Sequence, residues 1–272
     1  MTEEQRNRFE ALLQTGFRIS STKSLEHGLL LYRSNFRAFA VFAMLLPLAS
    51  TLIGLLPLGL AGFLITSLLV APVLNAGYYL VADRLARGER PPFATFFDAR
   101  EHALPLILNN LLAAAILAVV MIPTYLVFQK AGFFEWYQEV AANPTSPPDP
   151  PMIPSGNSTV VTLNLIPLVY LAVGYAFAFP LILLYQASPW QALELSRRLV
   201  TKQWASVFFL LLTFFFMLFL ASFFLAGLMA FSVALANLAT FGIFLLLPWA
   251  YCSLYVAFLQ ATAPMNQPPP ES

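Results

Sequence analysis

The chain has 272 residues, of which 59% are hydrophobic and only 10% charged, with a mean hydropathy of +0.74. Soluble domains carry about a quarter charged residues, so this composition excludes a water-soluble globular protein and reads as a membrane protein. A formal net charge of +1 gives no global field for nucleic acid, and the single cysteine, Cys252, excludes an intrachain disulfide and a thiolate metal cluster.

Residues 1–23 open with Thr2-Glu3-Glu4-Gln5, a capping box, and continue as a short helix with Phe9, Leu12 and Leu13 on one face. Glu4/Arg8 and Arg6/Glu10 are i,i+4 pairs. A solvated or surface-lying helix is expected, with docking of a partner as the alternative. Ser24 to Arg37 is the first amphipathic segment: Leu25, Leu29, Tyr32 and Phe36 recur at helical spacing while Glu26, Arg33 and Arg37 face away. No cleavable signal peptide precedes the first hydrophobic run, which is expected to act as the targeting signal.

Residues 24–260 read as a six-helix transmembrane domain. Spans are expected at about 38–58, 60–81, 103–128, 160–185, 204–229 and 237–259, each long enough for about 30 Å of hydrocarbon. Pro57-Leu58-Gly59 turns the first hairpin; Asp83, Arg84, Arg87, Glu89 and Arg90 close it. Pro91-Pro92 stops that helix. A second amphipathic segment follows, Phe93 to His102, with Phe93, Phe96 and Phe97 spaced for one face. Residues 130–159 are the one long loop, expected outside the cytoplasm. Phe133, Phe134, Trp136 and Tyr137 form an interface belt at its start, and its proline-rich middle, 143–156, is expected to be extended and mobile. The third amphipathic segment is Ser188 to Ser206, with Glu194, Arg197, Arg198 and Lys202 in one sector and Trp190, Leu193, Leu199 and Trp204 in the other. Residues 261–272 are expected to be a disordered tail.

Thirteen of the fourteen Lys and Arg residues lie before the first span, between the second and third, or between the fourth and fifth; Lys130 is the exception. The positive-inside rule then puts both termini in the cytoplasm. Each amphipathic segment precedes two spans, so the chain parses as three copies of interfacial helix plus hairpin. A shift of 168 lays Leu25 on Leu193, Glu26 on Glu194, Asn35 on Gln203 and Phe36 on Trp204. A narrow membrane alphabet is the competing explanation for those matches.

Two stretches carry a family likeness: NAGYYLVADRLARGERPPFATFF, and ALELSRRLVTKQWASVFFLLLTFFF with LLPWAYCSLYVAFL after it. They resemble a bacterial family of six-span integral membrane proteins without an assigned activity. They are also similar to the membrane domain that some bacteria fuse to glycerophosphodiester phosphodiesterase. The likeness covers roughly Leu60 to Leu259 and implies the six-helix fold and a bacterial cytoplasmic membrane. It implies no chemistry, because the phosphodiesterase domain is absent from this sequence. Gly242 fits the family's pattern; Pro248-Trp249 departs from its Pro-Tyr.

Residues 38–82, 103–129 and 203–270 contain no Asp, Glu, Lys, Arg or His. Proton relays and ion-coupled transporters place such groups at depth, so the sequence argues against proton-driven transport. His27 and His102 form no metal-ligand spacing, and no nucleophile elbow or phosphate loop occurs. No catalytic residue, cofactor or metal is expected. The polar side chains within the spans are Asn75, Tyr78, Tyr79, Asn109, Asn110, Asn164 and Gln186. They suit either a cavity for a lipid-like or small neutral molecule or hydrogen bonds between helices. Arg84, Arg87, Arg197, Arg198 and Lys202 suit contact with anionic lipid headgroups or, alternatively, docking of a protein partner. The function expected is therefore binding or movement of such a molecule; the alternative is a membrane scaffold or regulatory subunit.

Overall fold

A computed structural model describes residues 1–143, 146, 148–152, 154–232 and 242–266. Every described secondary-structure element is a helix. In chain order these are α1 (Glu3–Thr15), α2 (Ser21–Ser34), α3 (Phe36–Ala43), α4 (Leu45–Gly54), α5 (Leu60–Ile65), a π-helical turn (Thr66–Val70), α6 (Ala71–Ala86) and a 3₁₀ segment (Phe93–His102). Then come α7 (Ala103–Lys130), α8 (Phe133–Ala142), α9 (Ser155–Gly174), α10 (Ala178–Tyr185), α11 (Pro189–Lys202), α12 (Trp204–Phe231), α13 (Leu246–Thr262) and a 3₁₀ turn (Ala263–Asn266). Six helical stretches are long and apolar enough to cross a bilayer: Phe36–Gly54, Leu60–Ala86, Phe93–Lys130, Gly156–Tyr185, Trp204–Met229 and Gly242–Met265. Only 11% to 44% of each one's most apolar window is buried within the chain, which leaves most of that surface for hydrocarbon. The chain is an all-helical, multi-pass membrane protein.

Two compact units share the chain: residues 1–111 with 173–272, and residues 112–172. In the larger unit each amphipathic segment packs on one span. The segment Phe93–His102 lies on α6 and α11 lies on α10, in both cases the span just before it in sequence; α2 lies on α13, in the last span. Each crossing uses a small residue. Gly28 of α2 meets Ser253 so closely that an added Cβ would stand 2.6 Å from its Cα. At Gly77 of α6 a Cβ would overlap the Phe96 carbonyl oxygen, and at Gly174 it would meet Arg197 of α11. In lipid, packing rather than hydrophobic burial brings helices together, and small residues let backbones approach.

The segments α2 and α11 share their bounds under the 168-residue shift, and so do the helices that follow them, which start at Phe36 and Trp204. The intervening caps have nearly the same backbone, Asn35 at φ −137°, ψ 42° and Gln203 at φ −134°, ψ 37°. The middle segment differs. It is a ten-residue 3₁₀ helix that runs into α7 without a break, and of its three phenylalanines only Phe96 is fully buried, stacked on Phe42.

Several local expectations are corrected. The α1 capping box and the Glu4–Arg8 pair are present, yet α1 is not simply solvated: Phe9, Leu12 and Leu13 are buried, with Phe9 edge-on to Tyr185. Arg6 pairs with Glu3, which leaves Glu10 for Arg198. On α2 Tyr32 of the expected stripe is buried, but in place of Leu25 and Leu29 the buried residues are their neighbours Ser24 and Gly28, because close backbone approach selects small residues there. Gln260 and Trp249 of α13 bond Ser24 Oγ and the Leu25 carbonyl, so both help seat α2. Ser222 and Ala226 of α12 are exposed, as is Ala172. The last span runs as α13 to Thr262 and the 3₁₀ turn follows to Asn266, so the expected tail begins in helix; its remainder, 267–272, lies outside the described residues, as does the start of the sixth expected span, 237–241. Gly59, at φ 49°, makes the turn between the first two spans in a conformation that favours glycine.

In the smaller unit the expected long loop contains α8, whose Phe133, Phe134 and Trp136 pack with one another and with Tyr125 and Phe128 of α7. Trp136 Nε1 donates to the Pro148 carbonyl at 2.9 Å. Of the segment expected to be extended and mobile, residues 144, 145, 147 and 153 lie outside the described ones.

Gly28→Ala and Gly77→Ala are each expected to cost about 1–3 kcal/mol through overpacking. Gly227→Ala, where nothing lies within 4 Å, is expected to be neutral or slightly stabilising. Thermal unfolding in detergent separates the two classes; equal midpoints would contradict the tight crossings.

Candidate functional site at the ends of α6, α10 and α13

The C-terminal ends of three spans line one cavity. α6 supplies Asp83, Ala86 and Arg87, α10 supplies Leu184 and Tyr185, and α13 supplies Tyr255, Phe258 and Leu259, around a cavity of about 460 Å³. Asp83 is buried at 8% exposure, a costly position for a carboxylate without partners. Both oxygens are engaged: Tyr255 Oη donates to Oδ1 at 2.8 Å and Arg87 donates to Oδ2. The hydrogen bond from Arg87 to Asp83, and then the carboxylate charge, raise the guanidinium pKa further. Arg87 keeps 62% of its side chain exposed, and its planar fork carries more N–H donors than Asp83 consumes. Tyr185 and Phe177 lie edge-on to Phe258, so the remaining wall is aromatic and aliphatic. The site is amphipathic, with a balanced charge pair at one side and an apolar lining. Asp83 accepts two hydrogen bonds, one on each oxygen.

The other polar residues singled out in the spans are not gathered in this cavity. Asn110 Nδ2 reaches the Ser67 and Leu68 carbonyls at 3.3 and 3.4 Å, inside the π-helical turn. Pro72 lacks the N–H that would serve Leu68 in an α-helical pattern or Ser67 in a π-helical one. Asn110 replaces that donor. Asn109, 1% exposed, donates to the Pro189 carbonyl at 2.9 Å and ties α7 to the start of α11. In the smaller unit Asn164 donates to the Val120 carbonyl at 2.9 Å and to Thr124 Oγ1 at 2.8 Å, on either side of Pro123. Tyr78 and Tyr79 are buried against Tyr251, Tyr78 in a parallel stack with centroids 5.1 Å apart. Asn75 is half-buried, and Gln186 is exposed as the left-handed cap of α10.

The basic residues divide as well. Arg84 bonds Thr95 and Asp98 of the 3₁₀ segment, at 3.2 and 3.1 Å. Arg197 holds Glu194 through two bonds of 2.9 and 2.7 Å, which lower the Glu194 pKa below the usual carboxylate range. Arg198 reaches Glu10 of α1 at 3.3 Å, and Lys202 is exposed. Among the described residues no three His, Cys, Asp or Glu side chains gather as a metal site.

Sequence reasoning missed Asp83, Tyr255 and Ser196. The i,i+4 spacing of Asp83 and Arg87 is the one signal that could have pointed to the pair. Ser196 stitches the break in the fourth span: its hydroxyl donates to the Gly174 carbonyl at 2.7 Å and accepts from Phe177 N–H at 2.9 Å. A serine in the middle of an amphipathic helix carries no mark of that role.

Comparison with known proteins gives no match to any protein-family model, any curated protein or any solved structure.

Asn110→Leu is expected to cost about 1 kcal/mol in the wild-type background and nearly nothing with Pro72→Ala, which restores a backbone donor. A double-mutant cycle of unfolding in mixed micelles measures this; additive effects would break the link between Asn110 and Pro72. Tyr255→Phe, which strips one donor from Asp83, is expected to cost about 1.5–3 kcal/mol in the same assay.

Proposed function

We propose that this protein binds an amphiphilic molecule, lipid-like or small, in the cavity between α6, α10 and α13, and that it is not an enzyme. The cavity itself carries the reading: an apolar wall from α10 and α13 faces a Asp83–Arg87 pair whose arginine has donors to spare. A volume of about 460 Å³ falls in the range of small-molecule sites, about 300–1,000 Å³. Binding is favoured over conduction, because Asn109, Asn110 and Asn164 are each spent on a backbone carbonyl. On the positive-inside rule the cavity opens toward the cytoplasm, and the family likeness suggests a bacterial inner membrane. The alternative, docking of a protein partner through α11, is supported by Trp190, which is 61% exposed. Tryptophan at such a place is also the ordinary residue of a membrane interface, and Arg197 and Arg198 already pair within the chain.

The same reading takes the chain as three copies of an interfacial helix and a hairpin. Its support is the coincidence of helix bounds and cap geometry between α2 and α11, and the way each amphipathic segment packs on a span. On that view α6, α10 and α13 are the corresponding second spans of three hairpins, and their shared site is the natural place for a ligand.

Native mass spectrometry of protein purified in mild detergent tests the function. A bound amphiphile is expected on the wild type, lost when Leu184→Trp fills the cavity and weakened about tenfold when Arg87→Gln removes the charged hydrogen bonds. Equal adducts on all three folded proteins would sink the cavity reading.

A further inference from the structure

A second cleft, of about 330 Å³, lies between α1 and α11, lined on its polar side by Glu10, Gln14, Arg197, Arg198, Thr201 and Lys202. The cations here are not equally engaged. Arg197 is neutralised by its two bonds to Glu194. Arg198 and Lys202 stand at i,i+4 spacing on the same face of α11, with Glu10 as the acidic residue of the lining. The Arg198–Glu10 contact is a single bond of 3.3 Å with side chains 38% and 52% exposed. Charge-assisted hydrogen bonds of full strength are about 2.7–2.9 Å long, so this one is slack.

We propose that this cleft is an anion site for a phosphate group, in which Arg198 and Lys202 bind the phosphate oxygens and Glu10 is the built-in competitor that occupies Arg198 when the site is empty. A phosphate offers several strong acceptors, where the Glu10 carboxylate makes one long bond, and a guanidinium takes two phosphate oxygens side by side. The phosphate comes either from a lipid headgroup or from a free solute. The site sits apart from the amphiphile cavity, but α1 touches that cavity's wall: Phe9, next to Glu10, packs on Tyr185 with ring centroids 5.0 Å apart, and Tyr185 lines the cavity. Release of Glu10 loosens one tether of α1, while Phe9, Leu12 and Leu13 keep the helix seated.

The test uses the full chain in phosphatidylcholine nanodiscs, titrated with inorganic phosphate or doped with phosphatidic acid, with bound species counted by native mass spectrometry. Arg198→Gln/Lys202→Gln is expected to weaken binding about tenfold or more, and Glu10→Gln to strengthen it severalfold, opposite effects from one cleft. Saturable binding of inorganic phosphate that competes with the lipid assigns a free solute; phosphatidic acid retained against excess phosphate assigns the headgroup. Neither ligand bound, or no gain from Glu10→Gln, overturns the proposal. If the double variant does not fold, Glu10→Gln alone decides, since it leaves both cations and the apolar face of α1 in place.

Discussion

A backbone carbonyl without a donor costs several kcal/mol in hydrocarbon, and this chain repeatedly creates such carbonyls. Prolines sit inside or at the start of helices in the first, second, third, fourth and last spans. The fold depends on where the replacement donors come from. Asn110 serves the turn ahead of Pro72, Asn164 serves the carbonyl near Pro123, and Ser196 bridges the gap between α9 and α10 just before Pro180. Each donor belongs to a different helix from the carbonyl it serves. The irregularities that would weaken isolated spans therefore become bonds between elements.

The second constraint is distance. For Ser196 to enter the break in the fourth span, α11 must lie close on α10, and Gly174 provides the space. Gly77 under the Phe96 carbonyl and Gly28 against Ser253 do the same for the other two segments. Between α6, α10 and α13 a cavity remains, and the buried charge of Asp83 in its lining is compensated by Tyr255 and Arg87.

The architecture was legible in the sequence because it rests on signals that survive without tertiary context: run length, absence of charge, and asymmetry of Lys and Arg. Six spans were expected and six helical stretches long and apolar enough to cross a bilayer are present, and the α1 capping box was read directly from Thr2 and Gln5. The buried face of α2 was not legible, since a leucine stripe is the signal of a water-driven core, whereas Gly28 and Ser24 are selected by approach distance. The asparagines were legible as polar and interior but not as to partner, because Asn110 and Ser67 are brought together by the fold. Asp83 was visible as a charge at the end of a span, and its burial depends on Tyr255, 172 residues away.

The position of Asp83 also limits what the cavity can hold. No Asp, Glu, Lys, Arg or His occurs between Ala38 and Ala82, and none follows Lys202 up to Pro270, so the Asp83–Arg87 pair stands where the ionisable part of α6 begins. A ligand's charged group finds a partner only at that rim, where Arg87 is still largely exposed. Elsewhere in the lining, Leu184, Phe258 and Leu259 offer no compensation for a desolvated charge, and an unpaired one beside them is costly. A wholly polar solute would gain little from those walls, and a wholly apolar one would leave the spare donors of Arg87 unused. The charge of this lining therefore comes wholly from α6, and the side chains that α10 and α13 contribute to it bear none.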